Sequence, residues 1–166
     1  MITLREAKIA DVSAVMQLID EAKEFLRQSG SDQWQSGYPA EKDILNDISL
    51  HQGFVLTVDE KIAGYAAVIT GEELAYTAIQ GAWSNDSRDY VTVHRIALAD
   101  SYRGQGLSAA LFAEIFRQLR AQGYTDFRVD THAKNKIMQH IFEREGFRRR
   151  GTVWIEGERI AYQREF

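Results

Sequence analysis

The chain has 166 residues, 45% of them hydrophobic and 27% charged, and a net charge of -4 at pH 7. This length points to a single domain, residues 1–166, with enough apolar side chains for a substantial core. The acidic balance argues against a nucleic-acid binder that works by broad phosphate neutralisation. Cysteine is absent. That excludes disulfides, thiolate nucleophiles and thiolate metal sites, and it fits a cytoplasmic setting.

Met1 leads into a mixed polar segment, so no signal peptide is expected. No apolar run approaches the roughly 20 residues needed to cross a bilayer, so no membrane partner is expected. The four histidines, at 51, 94, 132 and 140, lack HExxH-like spacing, and no metal site is expected.

In chain order, residues 2–5 read as a first strand. Asp11 is placed to cap a helix whose apolar positions Val12, Val15, Met16, Ile19, Ala22 and Leu26 follow a 3.6-residue period, ending near Gly30. Residues 29–39 are polar, with Trp34 and Tyr38 embedded, and read as a loop. A second helix over 40–50 uses Ile44, Leu45 and Ile48. Strands over 53–58 and 62–70 form a hairpin across Asp59-Glu60-Lys61. Residues 71–89 show no clear period, with Tyr76, Ile79 and Trp83 among Gly, Ser, Asn and Asp.

A strand over 90–98 leads to the glycine loop Arg103-Gly104-Gln105-Gly106-Leu107-Ser108. The helix over 105–122 carries Leu107, Leu111, Ile115 and Leu119 at four-residue spacing and stops at Gly123. A strand over 126–132 and a helix over 135–145 follow, the helix ended by Gly146. Strands over 147–155 and 159–166 form a closing hairpin. The order is β-α-α-β-β-β-α-β-α-β-β. Hairpins require antiparallel pairs, and the strand–helix–strand segment 91–132 requires a parallel pair or a wide crossover. The expected fold is therefore mixed α/β, a central sheet with helices on both faces.

A strand that turns through glycines into a helix gathers backbone N–H groups at the positive end of the helix dipole, a place suited to a phosphate or pyrophosphate. The loop lacks the Gly-Lys-Ser/Thr of a Walker A sequence. It fits the dinucleotide fingerprint formally, as Gly104-Gln105-Gly106-Leu107-Ser108-Ala109. The α-α-β-β elements upstream do not suit that fold.

Residues 103–108 resemble the Arg/Gln-x-x-Gly-x-Gly/Ala signature of the GNAT superfamily of acyl-CoA-dependent N-acyltransferases. Asn135 with Phe142-Glu143-Arg144-Glu145-Gly146-Phe147 resembles that family's Asn…Tyr-Glu-x-x-Gly-Phe segment, and the element order is similar throughout. Ser108 stands where the family usually has Gly or Ala, and it too is small.

The resemblance implies an acetyl-CoA-dependent N-acetyltransferase that transfers directly to an amine of a small molecule or peptide. The backbone of Arg103, Gly104, Gln105, Gly106, Leu107 and Ser108 would hold the coenzyme A pyrophosphate. Ile96, Ala97 and Leu98 would run beside the pantetheine arm, with the Leu98 N–H polarising the thioester carbonyl. Asn135 would hydrogen-bond that arm, cap the following helix, or do both. The family often places a proton-donating tyrosine where this chain has Phe142, which has no proton to give. A thiol titrates near 8.5, so a thiolate can still leave.

No carboxylate lies on the strand before the loop, where many members carry one. His94 is the titratable residue there, and its reference pKa of about 6.5 suits a base. The alternative is a hydrogen-bonded structural histidine. Strict alternation groups His94 with Ile96 and Leu98 unless a bulge intervenes. His132 is the second candidate, sharing a strand face with Arg128 and Asp130, whose carboxylate would raise its basicity. That trio equally reads as a salt-bridged or solvated face.

Trp34, Tyr38 and Asp130 are the candidate acceptor-pocket residues, although the aromatics would serve equally as loop anchors. Arg148-Arg149-Arg150 reads as a solvated strand edge. Two alternative functions stay open: a non-catalytic acyl-CoA-binding or sensing module, and a nucleotide-binding domain using the same loop. The expected co-substrate is acetyl-CoA without a metal. The expected partner is an amine, with neither nucleic acid nor membrane, and a homodimer is the assembly left open.

Overall fold

The computed structural model describes residues 1–102 and 104–166. Arg103, the first residue of the expected phosphate loop, lies outside the described residues. The elements in chain order are β1 (Ile2–Glu6), α1 (Val12–Gln28), α2 (Glu41–Ser49), β2 (Gly53–Val58), β3 (Lys61–Thr70), β4 (Gln80–Gly81), β5 (Val91–Leu98), α3 (Leu107–Ala121), β6 (Asp126–His132), α4 (Lys136–Arg144), β7 (Arg148–Trp154) and β8 (Glu158–Glu165). Short 3-10 turns precede α1, β4 and α3. The expected order holds, with the two-residue β4 added. The chain divides into two compact units, Met1–Val68 with Arg95–Ile115, and Ile69–His94 with Phe116–Phe166.

In the first unit the strands run β1-β2-β3-β5. β1 and β2 pair antiparallel from Ile2↔Val58 to Glu6↔Phe54. β2 and β3 form the expected hairpin. Asp59 and Glu60 both have positive φ, which matches strand twist in a tight two-residue turn. Val12, Val15, Leu18 and Ile19 of α1 pack with Ile44, Val55, Tyr65 and Ala97 in one core cluster. Burying each such aliphatic side chain contributes about 1.5–3 kcal/mol.

Two expectations fail here. Asp11 precedes α1 but makes no side-chain cap bond to it. Its carboxylate binds the Arg5 guanidinium at 2.8 and 3.0 Å and the Lys8 N–H at 2.8 Å, because the 3-10 turn before α1 places the stronger partners within reach. In α2 the buried face is Ile44 and Asp47, while Leu45 is 39% exposed. A carboxylate takes the core position because a buried arginine awaits it.

In the second unit the order is β5-β6-β8-β7-β4. Of the two arrangements open to the strand–helix–strand segment, the parallel pair is present, at Val91↔Phe127 and Thr92↔Arg128. β6 and β8 pair antiparallel along their length, from Asp126↔Glu165 to His132↔Arg159. β4 reaches β7 only because both backbones are bare at the contact. A Cβ on Gly81 would lie 2.2 Å from the Arg150 carbonyl oxygen, and one on Gly151 would lie 2.1 Å from that of Gln80. Phe116, Phe127 and Phe166 form an edge-to-face cluster with centroids 5.0–5.7 Å apart. Phe142 is buried against Phe147 and Tyr162. Leu107, Leu111, Ile115 and Leu119 of α3 are all buried, as their spacing requires.

Candidate active site

The glycine loop follows a 3-10 turn over Asp100–Tyr102. The Tyr102 N–H donates to the Ala99 carbonyl and the Gln105 N–H to the Tyr102 carbonyl, which folds the chain back before α3. The Ala110 N–H donates to the Gly106 carbonyl at 3.0 Å, so the helical ladder starts on Gly106. Gly104 and Gly106 have φ of +81° and +72°, and a Cβ at either would meet nothing within 4 Å. These glycines answer a backbone need, not a packing one. Gly104, Gln105 and Gly106 are exposed, while Leu107 is buried and pins the helix start to the core. The result is an open turn at the positive end of a 15-residue helix.

β5 does not run as an even strand. Arg95 has φ +54° and is the only non-glycine residue of positive φ inside a strand among the described residues. Such a conformation costs about 1–3 kcal/mol and persists only where the surroundings offset it. It interrupts the alternation that would have placed His94 with Ile96 and Leu98.

The side-chain partners of Arg95 are close. The Arg95 guanidinium donates to both Asp47 oxygens, at 2.9 and 2.6 Å, and to the Tyr38 hydroxyl oxygen at 2.7 Å. The Tyr65 hydroxyl donates to Asp47 at 2.6 Å. Burial disfavours the charged guanidinium, but the hydrogen bonds and charges of Asp47 and Tyr38 outweigh it and raise its pKa. Burial, then the Asp47 carboxylate, pushes the Tyr65 phenol far above its usual value.

Beyond Arg95, Ala97 is buried. The Ala99 N–H donates to Ala63 of β3 at 2.8 Å. Gly64 lets β3 approach, since a Cβ there would lie 2.8 Å from Leu98 Cδ2. Amides alternate between the two edges of a strand. With Ala99 facing β3, the Leu98 N–H faces the opposite edge.

The second unit holds a similar carboxylate. The Asp130 side chain is 2% exposed, accepting from the Tyr76 hydroxyl at 2.5 Å and from Arg159 at 3.1 Å. His94 Nδ1 lies 3.9 Å from the same Asp130 oxygen that Tyr76 holds. Tyr76 is fully buried, and its phenol is pushed well above the usual value by burial first and the Asp130 charge second. Trp83 donates its indole N–H to the Tyr76 carbonyl at 3.0 Å.

The structure thus joins Asp130 to His94, where the sequence tied it to His132. His132 Nδ1 instead accepts the Lys134 N–H at 3.3 Å, at the turn into α4. Arg128 turns to Asp126 and Asn85 and lies over the Tyr90 and Trp83 rings.

Asn135 caps α4, accepting the Met138 N–H at 3.0 Å. Trp34 packs partly buried against the first core cluster. Tyr38 meets Arg95. Arg148 and Arg149 are exposed, as a solvated edge requires, whereas Arg150 bonds Gln163.

Sequence reasoning missed Asp47, Tyr65, Arg95, Tyr76, Trp83 and Arg159 as site residues. Only Asp47 carried a signal, a carboxylate three residues after Ile44 on the apolar face of its helix. Among the described residues no cluster of His, Cys, Asp or Glu is arranged to hold a metal, and no helix is long and apolar enough to cross a membrane.

The sequence profile described as acetyltransferase (GNAT) family matches residues 15–147. An acetyltransferase of the GNAT family from Streptococcus agalactiae 2603 superposes with a TM-score of 0.93 at 39% identity, covering 99% of this chain and 95% of that one. An uncharacterized N-acetyltransferase, YesJ of Bacillus subtilis (strain 168), is 27% identical over 142 residues, 82% of this chain and 76% of its own. The PaiA N-acetyltransferase from Thermoplasma acidophilum, whose crystals hold coenzyme A, shares the fold with a TM-score of 0.73 at 14% identity, covering 100% and 99% of the two chains. By its sequence profile and its fold alike, this chain belongs to the acetyltransferase (GNAT) family and is an acyltransferase.

Proposed function

We propose that residues 1–166 act as one N-acetyltransferase domain that moves an acetyl group from acetyl-CoA directly to an amine of a small molecule or peptide. The observation that carries this reading is the exposed turn at Gly104 and Gly106, both left-handed, opening α3 in a chain of this family. The family profile runs through segments of both compact units, which supports a single functional domain. The cysteine-free composition supports a cytoplasmic setting.

Acetyl-CoA, when bound, supplies its acetyl group as a thioester, to which coenzyme A contributes the activation and the protein the orientation. The backbone of residues 103–108 holds the diphosphate, favoured by the helix dipole and by room at the two glycines. Ile96, Ala97 and Leu98 pair with the pantetheine amides like an added strand, and the Leu98 N–H, facing away from β3, meets the carbonyl oxygen. Asn135, already a helix cap, lends its amide nitrogen to the same arm. Tyr38 and Trp34 flank the amine.

His94 takes the proton that the amine loses as its nitrogen bonds the acetyl carbon and the carbon–sulfur bond breaks. Asp130 orients it. His132, held at the start of α4, becomes the weaker candidate. Phe142 supplies no acid, so the sulfur leaves as thiolate and is protonated by water.

Calorimetry with coenzyme A, then thiol release from acetyl-CoA over an amine panel, tests this reading. Coenzyme A should bind without competition from ATP or NAD, and at least one amine should accelerate thiol release well above hydrolysis. Binding of NAD in place of coenzyme A, or no amine-stimulated release over a broad panel, would overturn it.

A further inference from the structure

Arg95 stands in a strand with a backbone conformation that a strand does not provide, two separate elements reach its side chain, and a third braces the carboxylate that holds it. Asp47 reaches it from α2 with both carboxylate oxygens. Tyr38 reaches it from the loop before α2. Tyr65 of β3 holds the same carboxylate from the other side. Gly53 of β2 leaves the space for this, since a Cβ there would lie 2.9 Å from the Tyr65 hydroxyl and 3.3 Å from Asp47 Cβ. Asp47 is 2% exposed and Arg95 16%. A buried bidentate pair at this geometry fixes the guanidinium in position and direction. The backbone three residues beyond it carries the Leu98 N–H.

We propose that Arg95 is a positioning residue. Clamped by Asp47 and Tyr38, it holds β5 in the left-handed turn that sets the Ile96–Leu98 backbone for the donor's arm. It also ties the loop over residues 29–39, proposed to flank the acceptor, to that same strand. The inference rests on the proposed placement of the pantetheine arm along β5. It adds that the strand is shaped by a side-chain clamp, and that the loop and the strand respond together.

The test compares two ligands by calorimetry. Coenzyme A carries the pantetheine arm, and 3′-phospho-ADP is its nucleotide half without it. Arg95→Gly is the decisive variant, because glycine adopts the same φ freely but has no guanidinium to clamp. It should bind coenzyme A about tenfold more weakly, the loss of roughly two backbone hydrogen bonds, and bind 3′-phospho-ADP as the wild type does. Asp47→Asn should act alike. Tyr38→Phe, which keeps the ring and removes only the hydroxyl at the partly exposed end of the clamp, should weaken coenzyme A by about threefold and leave the folding midpoint in place.

Arg95→Gly and Tyr38→Phe binding coenzyme A like the wild type would overturn the proposal. So would an equal loss for both ligands, which marks general loosening. A wild type that binds both ligands equally refutes the pantetheine placement, and one that binds neither refutes the phosphate-loop reading. The clamp falls with either.

Discussion

Two buried aspartates organise this protein, and they end differently. Asp47 and Asp130 each accept a hydrogen bond from a fully buried tyrosine hydroxyl and an ion pair from an arginine. At Asp47 the arginine is bidentate and belongs to β5 itself, so the carboxylate is committed to one guanidinium and acts as a clamp. At Asp130 the arginine makes a single bond, and a partly exposed histidine stands 3.9 Å away. That distance exceeds a hydrogen bond, so the carboxylate is not closed onto the imidazole as Asp47 is onto its guanidinium. The same three chemical groups thus make a rigid support in one unit and a responsive pair in the other. The difference lies in how completely the carboxylate is claimed.

The largest effect expected from this contrast is kinetic. His94→Ala should lower kcat by about 100- to 10,000-fold, the usual contribution of a general base, with coenzyme A affinity retained. Thiol release and calorimetry on the same preparation check both parts. Retained turnover would make His94 structural. Asp130→Asn should lose less, because the base remains.

Next comes stability. Asp47→Ala leaves the largely buried Arg95 without its counter-ion, with only the Tyr38 hydroxyl beside it, and it should cost about 3–5 kcal/mol in urea unfolding. A cost below about 1 kcal/mol, the range of a surface pair, would erase the distinction between clamp and responsive pair.

The smallest effect is alkaline. Tyr65 and Tyr76 are held protonated above the ordinary tyrosine value. Above pH ~10 the unfolded chain releases these protons while the folded chain keeps them. Their contribution to stability is therefore complete below pH ~10 and declines as pH rises past it. Tyr65→Phe should make the unfolding free energy flatter between pH 9 and 11 (about one group's worth of slope). An unchanged slope would show that the hydroxyl is not held as the Asp47 geometry requires.

The framework of this fold is legible in the sequence because its strands and helices carry their own periodicity. The β2 and β6 limits coincide with the strands read over 53–58 and 126–132, and the four-residue spacing of Leu107, Leu111, Ile115 and Leu119 gives α3 its buried face. The glycine loop is legible for the same local reason, since strand, glycines and helix are contiguous.

The carboxylate sites are not local. Arg95 and Asp47 are 48 residues apart, and Tyr76 and Asp130 are 54 apart, and no spacing rule joins them. Tyr76 and Trp83 lie in a stretch built from a 3-10 turn and a two-residue strand, which has no period to display. Arg95 could not be foreseen as left-handed, because long side chains give no local preference for that conformation. Its side-chain partners, Asp47 and Tyr38, lie 48 and 57 residues away.

The proposed function depends on the backbone amides at Gly104–Ser108 binding a diphosphate. Backbone amide NMR during a coenzyme A titration measures this directly. Saturating shifts at Gly104, Gln105, Gly106 and Leu107, reproduced by 3′-phospho-ADP and weakened in Gly104→Ala, are the expected result. Coenzyme A that leaves those resonances in place, whether it binds elsewhere or not at all, would contradict the account.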